Sequence, residues 1–438
     1  MPGRRALGRR FGWLWAAYAV SAYGTGLGFG AFPLIAILVL DSGPTQVAVL
    51  SAAGLVVGAM VAVPLGPWVE FRRKRPVMVA MDLTRFAALM SVPAAYALGR
   101  LSYAQLLVVS VVVAAANIAF RAASGAYLKA LVPPEDLLVA NGRFEATTWT
   151  ATVVGPPLGG VAIGMFGPVT TVVADAVSFL LSALGIRAIG GSEPRPVRTG
   201  RAGAPSPAPA GAPRPERTDA PRLRAGDLLE GWRHILGHRV LRPLFFNTIL
   251  VNGLIMATQP LLAVLLLDRL GFAPWQYGLA FAAPCVGGLV GSRLAPRLVA
   301  RFGQHRVLLT SGVLRVCWSI GLVFVQPGVP GIVLIIAVQL GLVTCCGVFN
   351  PVLSTCRLDH TDPGRVARTL TAWSVSSSAT TAALTAVWGL LAAITGPRPA
   401  IAIAGLLMLA TPLLLPRRDH TPPPPHDAVD RVAHPATG

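Results

Sequence analysis

Apolar runs of about twenty residues recur along nearly the whole chain, and this repetition constrains the fold more than any other feature. Each run is long enough to cross the hydrocarbon core of a bilayer. Inside lipid a backbone N–H or C=O finds no water, so a spanning segment must satisfy its own polar groups as a helix or join a closed barrel. Continuous apolarity, rather than strict alternation, selects helices. The runs fall at 11–40, 46–69, 77–98, 104–125, 147–165 and 169–189, then at 241–267, 276–298, 307–325, 331–352, 370–394 and 400–415. They predict an all-α membrane protein of twelve transmembrane helices, arranged as two bundles of six. A soluble chain of 438 residues needs more surface charge than the 13% found here beside 54% hydrophobic residues. The first run is too long for a signal-peptide core and no soluble domain follows it, so it reads as a retained span.

Net charge is +19, from 37 Lys+Arg against 18 Asp+Glu. In a soluble protein that excess would suggest nucleic acid, but here the cations sit between apolar runs with no stacking aromatics beside them. Membrane topology accounts for them better. Segments expected outside carry only Arg100, Arg269 and Arg398. Segments expected inside carry Arg4, Arg5, Arg9 and Arg10, then Arg72, Arg73, Lys74 and Arg75. Arg293, Arg297, Arg301 and Arg306 follow, and finally Arg357, Arg365 and Arg368. By the positive-inside rule both termini face the cytoplasm of a bacterial inner membrane. Lys74 and Lys129 are the only lysines, and the arginine bias reads as coding composition. The expected partners are membrane lipid, a small-molecule substrate and protons, with the chain acting as a monomer and binding no nucleic acid.

Four regions follow. Residues 1–189 form the first bundle. Residues 190–226, including RTGRAGAPSPAPAGAPRPERTDAPR, lack the large apolar residues needed to fold and read as a disordered cytoplasmic linker. Residues 227–416 begin with DLLEGWRHILGHRVLR, an interfacial amphipathic helix, and continue as the second bundle. Residues 417–438 are a proline-rich cytoplasmic tail, also expected to be disordered. The halves repeat: 72–85 sets against 302–315 without a gap, placing Arg85 over Arg315, and 136–151 sets more weakly against 363–378. A repeated six-span unit points to a transporter, because two related bundles can rock about a central site.

The most specific local pattern is Gly66-Pro67-Trp68-Val69-Glu70-Phe71-Arg72-Arg73-Lys74-Arg75, after the second run. It resembles the loop signature of the major facilitator superfamily, G-x-x-x-D-R-x-G-R-K/R. Gly66 matches the first glycine, Glu70 stands at the acid, and Lys74 and Arg75 match the closing basic pair. Phe71 and Arg73 depart from the pattern. The second-half counterpart, Arg301-Phe302-Gly303, lacks the acid. The resemblance implies a conformational latch built from Gly66, Glu70, Lys74, Arg75, Arg85 and Arg301. An acid there can accept hydrogen bonds at a neighbouring helix N-terminus, where the macrodipole favours anions. The plainer alternative is a basic loop that only sets topology.

Residues 151–160, ATVVGPPLGG, resemble the family's antiporter signature through Gly155, Pro156, Gly159 and Gly160. Small residues four apart let helix backbones approach, and proline bends the helix. The resemblance implies packing of span five on span eight, which offers Gly287 and Gly291; span two offers Gly54 and Gly58. Residues 131–148 and 227–246 are similar to the drug-exporter branch that includes macrolide-efflux-like carriers. The likeness runs from about residue 11 to 415 and implies the two-bundle major facilitator fold. It does not name a substrate.

Charges within spans are costly and usually functional. Asp82 and Arg85, three apart, share a helix face and can neutralise each other. Arg315 lies deep in span nine, and Arg121 near the inner end of span four. A proton-coupled carrier needs a carboxyl that cycles between charged and neutral forms; Asp175 and Glu145 are the candidates, followed by Asp82, each with a structural role as the alternative. By resemblance, the cavity lies between spans one, four, seven and ten, where Tyr18, Tyr23, Asn117, Asn247, Asn252, Gln259, Gln339 and Asn350 can orient a ligand or join helices. Gly24, Gly26, Gly28 and Gly30 before Pro33 suggest a flexible or broken first helix near the cavity. No P-loop, H-E-x-x-H or G-x-S-x-G pattern occurs, and the five cysteines lack metal-ligand spacing, so neither an enzyme, a cofactor nor a metal is expected. The leading expectation is proton-coupled efflux of amphipathic small molecules, antibiotics or siderophore-like metabolites. A transporter-fold sensor or scaffold and a nutrient uptake carrier are the competing readings.

Overall fold

A computed structural model describes residues 7–28, 31–41, 44–190, 225–272 and 274–416. The expected linker, apart from residues 190, 225 and 226, and the whole expected tail lie outside the described residues. The described residues form helices joined by short turns, with no strand among them. In the first half the helices are α1 (Gly8–Leu27), α2 (Ala31–Leu38), α3 (Pro44–Ala62), α4 (Leu65–Glu70), α5 (Lys74–Ala97), α6 (Tyr103–Leu131), α7 (Leu137–Phe166) and α8 (Pro168–Arg187). In the second they are α9 (Ala225–Gly237), α10 (Leu241–Val264), α11 (Pro274–Ala282), α12 (Cys285–Phe302), α13 (Gln304–Cys317), α14 (Val329–Asp359), α15 (Val366–Thr395) and α16 (Pro397–Ala410).

Ten helices among the described residues are long and apolar enough to cross a membrane, or eleven if a pair bent by 41° at Pro156 counts as one. Proline lacks the N–H that would continue the helix and crowds the preceding turn, so the bend is local to its cause. The place of the second expected run is taken by α3 and α4, separated at Val63 and Pro64. The first helix, α1, ends at Leu27 and α2 begins at Ala31, the two counting together as one span, Gly8–Ile37; the expected break at the glycines falls on residues 29 and 30, outside the described residues.

The internal repeat is realised in packing. In the first half α3 lies on α6, α5 on α6 and α8, and α1 on α7 and α8. The second half repeats these pairings: α12 on α14, α13 on α14 and α16, and α10 on α15 and α16. Turn chemistry repeats too. Gly167-Pro168 joins α7 to α8 and Gly396-Pro397 joins α15 to α16, each glycine in the left-handed region (φ 82 and 89) and each proline opening the next helix. Between halves, α7 crosses α12 and α14, while α15 crosses α3, α4 and α6, so the interface obeys the same pseudo-twofold relation.

Each half has a buried arginine at the equivalent place. Arg85 on α5 pairs with Asp82, whose other oxygen accepts from Ser182 on α8 at 2.8 Å. Its guanidinium lies between the rings of Phe120 (4.5 Å) and Phe179 (4.1 Å). Arg315 on α13 lies over Phe349 at 3.7 Å and donates to the Asn247 carbonyl oxygen at 2.5 Å. Asn247 in turn donates to the Thr411 carbonyl at 2.8 Å. Where the first half has Asp82, the second has Gly312, which packs against Phe349 and Leu415. Arg315 is therefore held by an amide dipole and a ring face rather than by an acid.

Candidate gate and central path

One end of the bundle carries the Arg72–Arg75 turn, the start of α1, the end of α8 and the α14–α15 turn; it is called the basic end here. Glu70, the last residue of α4, reaches across the halves at this end. Its Oε2 accepts the backbone N–H of Arg368 at 3.2 Å, in the first turn of α15. An unpaired helix N–H and a carboxylate thus satisfy each other, with the macrodipole adding to the attraction. Burial raises the Glu70 carboxyl above its ordinary value, opposed first by the Lys74 ammonium and then by the Arg368 N–H. Gly66, one helical turn earlier, lies so close to Thr371 of α15 that an added Cβ would sit 2.9 Å from that side chain.

Arg368 is the hub of this contact. Its guanidinium pairs with Glu230 of α9 and stands over the Phe71 ring at 4.9 Å. Phe71 is the position at which the family loop has arginine; here the ring face receives a cation from the opposite half. Lys74 donates to the carbonyls of Val69 (2.9 Å), Glu70 (2.6 Å) and Arg72 (3.1 Å), closing the end of α4. Arg75 donates to Gly190 O at 2.9 Å and so ties the turn to the end of the first half. Two of the expected latch residues lie elsewhere. Arg85 is committed to Asp82 in the core, and Arg301 lies over its neighbour Phe302 at 5.3 Å.

A second contact mirrors the first. Lys129, at the end of α6, donates to the carbonyls of Leu358 and Thr361, where α14 ends. Anion on helix start and cation on helix end both lie at the α14–α15 turn, each matched to the local dipole. Further in, Asn141 donates to Thr355 Oγ1 at 2.9 Å. Glu145 Oε1 accepts from Asn350 of α14 at 2.7 Å and from the indole of Trp149 at 3.0 Å. Trp149 lies on Gly288 of α12, where a Cβ would sit 2.3 Å from its ring. The helix α7 begins at Leu137, ten residues before the expected span, because its polar first turns carry too little apolarity to register. Glu145 is therefore ~12 Å along the helix rather than near its end. Likewise α6 continues to Leu131, so Arg121 is ~15 Å from its end, near enough to Glu145 to act on it electrostatically. Each described side-chain hydrogen bond between halves lies between this level and the basic end.

Asp175 of α8 faces the end of α1. It accepts from Thr25 Oγ1 at 3.2 Å, and its carboxyl lies beside Gly24 and Gly28, where a Cβ would approach within 3.3 and 3.2 Å. Gly155 and Gly159 pack on the same stretch: an added Cβ would lie 2.6 Å from Gly26 Cα and 2.3 Å from Leu27 O. The GPPLGG face therefore brings α7 onto α1 within one half, not onto α12 as the resemblance implied. Pro156 marks the bend, and Gly160 faces open space. Gly287 and Gly291 instead let α12 approach α14, and Gly54 and Gly58 let α3 approach α6.

The expected cavity residues separate into groups. Tyr18 hydrogen-bonds Thr148 Oγ1 at 2.7 Å between α1 and α7, and Asn350 is bound to Glu145. Tyr23 and Asn117 are exposed, and Asn252 is partly so. Asn247 is fully buried and holds Arg315, so it belongs to the core of the second half instead. Gln259 and Gln339 line a cavity of about 10 Å³ with Thr258 and Ser319, among α10, α14, α16 and the turn after α13. That is room for a water molecule, not for a substrate. Lys129, Arg368, Phe71 and Trp149 were missed. The two lysines, alone in an arginine-rich chain and both placed on carbonyls at helix ends, were the available signal.

A sequence profile described as the Major Facilitator Superfamily matches residues 14–356 and, in a second match, 260–437. The chain belongs to the Major Facilitator Superfamily. Among its relatives, the multidrug efflux pump Tap of Mycobacterium tuberculosis is 28% identical over 364 residues, 81% of each chain. The Mycolicibacterium fortuitum pump of the same name is 25% identical over 360 residues, 79% of this chain and 81% of that one. Superfamily architecture also appears in solved structures. A bacterial homologue of the iron transporter ferroportin, in its outward-facing state, overlays with a TM-score of 0.75 at 16% identity, covering 93% of this chain and 98% of that one. The Escherichia coli fucose:proton symporter gives 0.69 at 13% identity, covering 95% and 100%. These likenesses establish the fold: an all-α, multi-pass major facilitator transporter.

Proposed function

We propose that this chain is a proton-coupled exporter of amphipathic small molecules, and that the arrangement described is its outward-facing state. The observation that carries the reading is the gathering of cross-half contacts at the basic end. The positive-inside rule sets that end, and both chain termini, in the cytoplasm. With Glu70 and Lys129 closing the cytoplasmic side, the halves are poised to part on the other. Counting α3 with α4 as one span and α7 as another gives twelve, in units of 1–189 and 227–416 joined by a cytoplasmic linker. The relatedness to Tap supports efflux of drug-like compounds over nutrient uptake.

Glu145 is the leading proton carrier. It joins the halves through Asn350, so its protonation weakens an acceptor on which the closed arrangement depends. Asp175 is the second, beside the end of α1 where α7 crosses it. Asp82 is committed to Arg85 and Ser182, and we assign it a structural role. Inside-out vesicles energised by an imposed proton gradient test the proposal. A panel of antibiotics and amphipathic dyes should accumulate in the presence of the chain, and Glu145→Gln should abolish coupling while leaving substrate binding intact. Binding without flux for every compound would instead identify a sensor; unchanged coupling in both Glu145→Gln and Asp175→Asn would remove the assignment of the carboxyls.

A further inference from the structure

We propose that α9 is a wedge of the cytoplasmic gate, seated between the halves by two positioning residues, Trp232 and Glu230, and withdrawn each time the gate opens. The inference rests on the alternating-access reading above and extends the moving parts to a helix outside both bundles.

An amphipathic helix before a span is ordinarily a surface anchor, with its apolar side in the headgroup layer. Here the helix divides its apolar residues between two directions. Leu229 and Leu236 are exposed, as an anchor requires. Gly231, Trp232 and Ile235 turn inward, with Ile235 fully buried. The Trp232 indole donates to Ser376 Oγ on α15 at 2.9 Å. Its ring packs against a small apolar cluster drawn from both halves, made of Ala62 of α3, Ile118 of α6 and Val375 of α15. One side chain thus caps a cluster that both halves build at the level of the gate.

Arg368 is gripped from both directions as well. Glu70 of the first half takes its N–H, and Glu230 of α9 takes its guanidinium. Glu230 also pairs with Arg365 at 3.2 Å. Gly231 lies on the Arg368 carbonyl so closely that a Cβ would come within 2.5 Å of the oxygen, so only glycine permits this seat. The attachments of α9 are therefore chiefly to α15: an ion pair to Arg365 and Arg368, the hydrogen bond to Ser376 and the glycine contact. Its described contacts with the first half are slighter: the Trp232 ring and a close approach of the helix to α4. When the halves separate on this side, α9 must travel with α15 and draw Trp232 away from the first-half side of this cluster, Ala62 and Ile118. Glu230 fixes the helix register that aims the ring, and Trp232 fills the space that the closed gate would otherwise leave to water.

Spin labels at Arg187→Cys and Arg306→Cys, both exposed at the basic end and one in each half, read the gate directly. The full chain, with its native cysteines replaced, is reconstituted in lipid and the inter-label distance distribution is measured. Trp232→Ala should raise the ratio of the longer, gate-open component about tenfold and Glu230→Gln about threefold, the smaller effect reflecting a partly exposed ion pair. Arg233→Gln, on the exposed side of α9, should leave the ratio unchanged. Distances report opening without requiring a transported compound, so failure to find a substrate does not affect the result. If Lys129→Met opens the gate while both α9 variants match the parent, α9 is a surface anchor and the proposal is overturned. If no variant populates a longer distance, the rocking of the halves is itself refuted, and the proposal with it.

Discussion

Lys129→Met removes one charge and keeps most of the side-chain length. In the parent, the ammonium donates across the halves to two carbonyls, Leu358 and Thr361, at the end of α14. Hydrogen bonds to a charged partner contribute about 1.5–3 kcal/mol each, and a cation at a helix C-terminus adds about 0.3–1 kcal/mol. Lys129 is only partly buried, so water reaches the freed carbonyls and the two bonds do not add in full. A net loss of about 1–2 kcal/mol remains, which is roughly a five- to thirtyfold shift toward the open gate. Native-state hydrogen exchange measures that equilibrium at the Arg368 amide, which Glu70 holds only while the gate is closed. Protection across residues 366–370 should fall by the same factor, with amides in the middle of α5 unchanged as an internal reference. A change below about twofold would show that the lysine follows the closed state rather than stabilising it.

Glu70 makes gate closure pH-dependent. Its carboxyl is raised in the closed state by burial and returns toward its ordinary value when opening wets it. The closed gate therefore binds the proton more tightly. Its added stability is complete below the ordinary carboxyl value of 4.5 and is lost as pH rises through the raised value. Spin-label distances should show more open gate toward neutral pH, and Glu70→Gln should flatten the profile. In the bend of α7, Gly159→Val should cost about 2 kcal/mol or more, because its Cβ would meet Leu27 O at 2.3 Å, whereas Gly160→Val faces open space and should leave thermal stability in detergent near the parent value.

How much of this was readable in advance depended on sequence distance. The all-helical membrane architecture and the Arg85–Arg315 equivalence rest on local composition or on a gapless repeat, and both reappear in the structure. The Asp82–Arg85 pair needed only the spacing of three that a helix turns into a shared face. Glu70 was identifiable as an acid aimed at a helix start, but its partner lies 298 positions away, and nothing local marks Arg368 as special. Phe71 read as a departure from the family loop because a ring makes sense there only once the opposite cation is known. Asn247 was misplaced for the opposite reason. Its position on a cavity helix said nothing of its azimuth, and the buried Arg315 needed an acceptor more than the central path needed an amide. The starts of α7 and the end of α6 were set short because polar residues inside a protein interface look like loop residues to a hydropathy reading.

The scarcity of lysine has a practical consequence. Apart from the chain's own amino terminus, Lys74 and Lys129 carry the only primary amines; Lys129 reaches across the halves and Lys74 holds the carbonyl of Glu70, which does. A water-soluble acylating reagent applied to one face of a sealed vesicle would therefore report, peptide by peptide in a mass spectrum, on the posture of the transporter with no engineered residue at all. The same chemistry would serve as a screen: any compound that traps one posture would change the yield at Lys129, whether or not its passage can be followed.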